Sequence, residues 1–186
     1  MGMRFGKIRQ VPFQGNSERS LVVRQLFAKK MFELMDGGFR ILNVDQSWLN
    51  QLDFRRRKWM LSGYRNSMPV KAVSPRLSVI AAIDTEGEAY MALSMANTDS
   101  ATICLFLRQL VQHLELERPG FREDTVIQLD GASYHLSDET RNYLANVGVK
   151  VVIGGPYGFQ TAPIEHFFAA LKSVELNPGS VSTGKR

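Results

Sequence analysis

From Leu77 onward the chain alternates two hydrophobic periods, and few folds accommodate that alternation. Leu77 to Ile83 and Ala89 to Met95 are short apolar runs joined at Asp84-Thr85-Glu86-Gly87, a hairpin connection of the Gly-containing kind. Asn97-Thr98-Asp99 offers a helix start, and Ile103, Phe106, Leu107, Leu110 and Leu114 supply one apolar face up to the break at Arg118-Pro119-Gly120. A strand over Thr125 to Leu129 follows, then a helix opened by Ser137, Asp138 and Glu139 that runs to about Asn146. Another strand, Lys150 to Ile153, leads through a Gly-rich stretch to a last helix from Pro163 to Val174. Upstream, Ser17 to Asp36 carries Leu21, Val22, Leu26, Phe27, Met31, Leu34 and Met35 at helical spacing and stops at Gly37-Gly38. Phe39 to Val44 reads as a short strand that delivers Asp45. An antiparallel start followed by alternating helices and strands predicts an α/β chain with a mixed sheet flanked by helices.

The 186 residues suit one domain, and 44% hydrophobic with 22% charged residues excludes a disordered chain or a fibrous repeat. Cys104 is the sole cysteine, so neither an intrachain disulfide nor a cysteine-based zinc cluster can form. No apolar run approaches the roughly 20 residues of a membrane span, and MGMRFGKIRQ has no apolar stretch behind its basic opening. A soluble chain without a membrane partner is expected. The net charge of +5 is unevenly spread: residues 1–80 hold 15 Lys and Arg against 5 Asp and Glu, and residues 81–186 hold 8 against 13. Arg55, Arg56, Arg57, Lys58, Arg65, Lys71 and Arg76 fall in a stretch with no acidic residue, interleaved with Phe54, Trp59 and Tyr64. This pattern suits a phosphate-binding surface with stacking groups, and equally a solvated loop with a nuclear-import patch at RRRK.

Asp45 and Asp130 each end a mainly apolar strand, the edge of an α/β sheet where ligands bind, and Glu165 begins the last helix. Three carboxylates brought together repel one another unless hard cations neutralise them, and oxygen ligands select Mg²⁺ or Mn²⁺. Two such ions about 3.5–4 Å apart can activate an attacking oxygen and stabilise a leaving one in phosphodiester chemistry. Position alone also allows two turn aspartates and a glutamate that complements a helix dipole.

Three blocks, ILNVDQSW, VIQLDGASYHLS and GGPYGFQTAPIEHFFAALK, resemble in order and spacing those of DDE transposases of the mariner superfamily, within the wider retroviral-integrase group. Between Asp130 and Glu165 lie 34 residues, the spacing typical of the superfamily's Asp-to-Glu members. RFGKIRQVP looks like the linker that precedes this domain, and the PIE…K block is most similar to transposases of ciliated protists.

The resemblance implies an RNase H-like fold with a mixed five-stranded sheet, and metal-dependent cleavage and strand transfer of double-stranded DNA at transposon ends and target. It also implies two Mg²⁺ or Mn²⁺ ions held by Asp45, Asp130 and Glu165, with Asp45 bridging, and a homodimer, nuclear in a eukaryote and otherwise in the cytoplasm or nucleoid. Residues 1–38 become a basic linker and amphipathic helix, 39–176 the catalytic domain with a basic insertion at about 46–76, and 177–186 a flexible tail. In the family a loop at that insertion reaches the partner subunit and DNA. Helix-turn-helix modules normally precede the linker, yet only about 16 residues stand before the first helix, so DNA contact is expected from Arg55 to Arg76. Lys172, seven residues after Glu165 on the same helix face, meets either a phosphate near the metals or only solvent. His135 matches a family histidine and either shapes the site or packs; His166 is given no catalytic role. Gln46 and Gly131 depart from the family's Glu and Asn, and Phe-Gln-Thr-Ala replaces its Pro-Asp-Leu-Asn. Two rival readings stand beside this one: an RNase H-like nuclease that only hydrolyses, which usually adds a fourth carboxylate, and a domesticated DNA-binding or scaffold protein that no longer cuts.

Overall fold

Three of the helices start where the sequence places a capping side chain. The computed structural model describes residues 13–49, 77–95, 97–158 and 162–173. After a 3-10 turn at Phe13–Asn16, helix α1 (Glu18–Asp36) opens with Ser17, whose Oγ accepts the Ser20 N–H at 3.3 Å. Helix α2 (Ser100–Glu117) is capped by Asp99 through Thr102 N–H at 2.8 Å, and α3 (Asp138–Val147) by Ser137 through Thr140 N–H at 3.2 Å. Gly148 closes α3 in the left-handed conformation at φ 76°, which a side chain would strain. Helix α4 (Pro163–Ser173) follows Ala162, which offers no capping oxygen.

The strands β1 (Arg40–Leu49), β2 (Leu77–Asp84), β3 (Ala89–Ser94), β4 (Thr125–Leu129) and β5 (Lys150–Ile153) form one sheet in the order β3-β2-β1-β4-β5. The three strands β1 to β3 are antiparallel, while β4 runs parallel to β1 and β5. This is the mixed five-stranded sheet the sequence led us to expect. One face packs Leu42, Val44, Ile80, Ala82, Ile127 and Leu129 against α2 and α3. On the other face, Val79, Ala81 and Leu49 meet Ile164 and Phe168 of α4, and Ile41 and Val126 meet Leu34 of α1. Each fully buried aliphatic side chain contributes about 1.5–3 kcal/mol. At the start of β1, the buried Arg40 guanidinium is held by Asp84 (Nε to Oδ2, 2.7 Å), the Tyr90 hydroxyl (2.8 Å) and Glu117 (3.2 Å).

Two expectations need correction. Strand β1 begins at Arg40 and continues to Leu49, because Gln46 to Leu49 pair with Ile80 to Leu77 of β2. The insertion therefore starts after Leu49, four residues later than expected; the remainder, with Arg55, Arg56, Arg57, Lys58, Arg65, Lys71 and Arg76, lies outside the described residues, as do residues 1–12 and 174–186. Helix α1 is also turned differently from its hydrophobic reading. Leu34 is buried, but Leu21, Val22, Leu26 and Met35 stand 47–62% exposed, and Arg24 turns to give its Nη2–H to the Gly15 carbonyl at 2.7 Å. Arg24 also lies on the loop after β5, where a Cβ on Gly155 would come within 2.8 Å of its Cγ and 3.1 Å of its Cα.

Candidate metal centre

Strand β1 outruns its parallel neighbour. The β1–β4 ladder ends at Asn43 opposite Gln128, whereas β1 stays paired with β2 as far as Leu49. A notch opens there, and Asp45 and Asp130 are the residues that reach it. Asp45 lies opposite Ala81, whose side chain packs against α4, so the carboxylate projects toward that helix. Glu165 occupies the first turn of α4. Its helix is fixed here by a contact across 121 residues: the buried Asn43 Oδ1 accepts the Ile164 N–H at 3.1 Å.

The environments of the aspartates differ. Burial, with the negative charges of Asp130 and Glu165, pushes the Asp45 carboxyl up to about 6 against the pull of the Gln46 N–H and of His135. Asp130 is also penalised by burial, yet hydrogen bonds from His135 and Ala132 hold its carboxyl below the usual range. His135 Nδ1 stands 2.6 Å and the Ala132 nitrogen 2.9 Å from Asp130 Oδ1. The imidazole is 1% exposed and meets Tyr134 edge-on. Burial, and then the charges of Asp130 and Asp45, push the Tyr134 hydroxyl up to about 12.

The donor chemistry fits a divalent cation: acid oxygens, with a largely buried carboxylate whose negative charge is only partly offset by the Gln46 N–H at 2.7 Å. Among the described residues no group of three or more His, Cys, Asp or Glu closes into a cage for an ion. Lys172 gives its Nζ–H to Ser47 Oγ at 2.6 Å, which places the ammonium two residues along β1 from Asp45. Gln46, where the family has Glu, takes a defined role on the opposite face, donating from Nε2 to the Tyr134 hydroxyl at 2.9 Å and accepting from Ser78 at 3.4 Å. Gly131 leaves open space for a side chain. Sequence reasoning missed Asn43; the one signal was a polar residue inside the apolar run ILNVD.

The family model described as a DDE superfamily endonuclease matches residues 40–185. No curated protein matches this chain. Among solved structures, the fold is similar to the Mos1 mariner paired end complex with Mn, at a TM-score of 0.74 and 20% identity over 92% of this chain and 53% of that one. The Mos1 strand transfer complex gives 0.70 and 19% over 93% and 53%, and the Mos1 transposase catalytic domain with raltegravir and Mn gives 0.64 and 17% over 94% and 78%. The chain thus spans about half the length of the Mos1 chains in the assembled complexes. The sheet is that of the RNase H-like fold of these structures, and with the family model spanning most of its length, the chain belongs to the DDE superfamily endonucleases.

Proposed function

We propose that this chain is the catalytic domain of a mariner-type transposase that cuts DNA at transposon ends and joins the freed end to target DNA. The observation that supports the reading is that Asp45 on β1, Asp130 just after β4 and Glu165 in the first turn of α4 are electrostatically linked, Asp130 and Glu165 both pushing the Asp45 carboxyl up. Bound Mg²⁺ or Mn²⁺, one ion or a pair, would neutralise these carboxylates and supply the positive charge that activates an attacking oxygen and steadies a leaving one. The chain's own contribution is orientation. His135 and the Ala132 N–H fix one oxygen of Asp130, the β-ladder fixes Asp45, and the first turn of α4 carries Glu165. Lys172, beside Ser47, is positioned to meet a DNA phosphate. The basic residues from Arg55 to Arg76 supply sequence-independent DNA affinity and the contact to a second copy in a homodimer. The Mos1 structures described as paired-end and strand-transfer complexes support that assembly.

A cleavage and joining assay on a terminal-repeat duplex, with Mn²⁺ and with Asp130→Asn as control, tests the proposal. Metal-dependent nicking followed by joined product, both lost in Asp130→Asn, is expected. Nicking without joining would indicate a hydrolysis-only nuclease, and DNA binding without Mn²⁺ uptake would indicate a protein that no longer cuts.

A further inference from the structure

Helix α4 carries the third carboxylate but begins at Ala162-Pro163, where Ala162 has no side-chain oxygen and its carbonyl accepts the Glu165 N–H at 3.1 Å. A helix normally caps its first amides with the side chain at its N-cap, whose oxygen accepts from the second or third helical N–H. Here the oxygen comes from the sheet: Asn43 Oδ1 accepts the N–H of Ile164, the second helical residue, at 3.1 Å. Asn43 is 5% exposed and stands two residues before Asp45 on the same face of β1. The bond therefore joins the strand that carries Asp45 directly to the turn that carries Glu165. We infer that Asn43 is a positioning residue for the metal centre, a cap borrowed from β1 that sets where Glu165 stands relative to Asp45. The inference rests on the reading of the three carboxylates as metal ligands.

The amide's neutrality belongs to the same argument. Aspartate caps a helix as well as asparagine does and interacts more favourably with the dipole. Placed at 43, however, it would add a fourth negative charge two residues from Asp45 on the same face of β1 and against the first turn of the helix that carries Glu165. Asparagine supplies the oxygen without the charge. Ser or Thr would not reach as far from β1.

Mn²⁺ titration by calorimetry, paired with urea denaturation of the metal-free chain, separates positioning from simple stabilisation. Asn43→Ala is expected to weaken Mn²⁺ binding about 10–100-fold, the range for groups that orient metal ligands. The double variant Asn43→Ala/Ala162→Ser gives α4 a local cap. It should regain stability but not affinity, because the helix start is then satisfied without being tied to β1, and it keeps the test open if the single variant does not fold. Wild-type Mn²⁺ affinity in a folded Asn43→Ala chain, or affinity that returns together with stability in the double variant, would overturn the inference alone. A wild-type chain that takes up no Mn²⁺ would overturn the metal-site reading, and this inference with it.

Discussion

The carboxyls of Asp45 and Asp130 are shifted from the ordinary value in opposite directions. Asp45 is raised to about 6 from an ordinary value near 3.8, so between those two pH values the unfolded chain has lost a proton that the folded chain keeps. The contribution of Asp45 to the stability of the metal-free protein therefore falls as pH rises through this window, by about 3 kcal/mol at most for two pKa units. Asp130 is lowered, so its contribution is present above the ordinary carboxylate range and is lost only as pH falls below it. Denaturation of metal-free protein from pH 4 to 7.5 should show the decline, and Asp45→Asn should flatten it and stabilise the chain at pH 7.5. An unchanged slope in that variant would show that Asp45 is not the group responsible. Mn²⁺ should reverse the trend, since binding favours the ionised carboxylate.

At the scale of elements, the helix caps and the strands after residue 77 were legible because the signals are local. Ser17, Asp99 and Ser137 announce their helices, and Thr125–Leu129 and Lys150–Ile153 have the bounds read from the sequence. The second half of β1 was not legible, since Gln46 and Ser47 look like turn residues until a paired β2 is in place. The orientation of α1 was hidden for a related reason: Arg24 faces inward to a carbonyl and a glycine loop, while Leu21, Val22 and Leu26 face out. In the site, the three carboxylates were legible as candidates, but Asp45, expected at a strand end, stands within β1, and Asn43 acts through a residue 121 positions away, its one local trace being a polar residue inside an apolar run. The contact between α1 and the loop after β5 invites a direct test. Gly155→Ala places a methyl against the α1 backbone, so it should cost about 1–3 kcal/mol by overpacking and speed hydrogen exchange in α1 more than in α2. Equal effects on both helices would show that α1 is not seated on this glycine.

For the whole molecule, the chain leaves the sheet at Leu49 and returns at Leu77, and these two residues are paired. Excising residues 55–70 should thus spare the sheet, read as unchanged cooperative unfolding, while removing DNA joining or dimerisation. A fully active monomer after the excision would contradict the role proposed for the insertion. Neutralising Arg55, Arg56 and Arg57 together should shallow the salt dependence of DNA affinity by roughly 2–3, at about 0.9 for each phosphate the chain no longer neutralises. Salt titrations on a terminal-repeat duplex and a scrambled one would measure it, and an unaltered slope would place the phosphate-binding groups elsewhere. The notch itself has a temporal consequence. Its carboxylates are residues 45, 130 and 165, so a ribosome adding about 5–20 residues per second finishes the first roughly 6–24 s before the last. Until α4 emerges, a nascent chain can hold its five strands but not the third acidic group, so on the proposed reading the metal centre is completed only after the sheet.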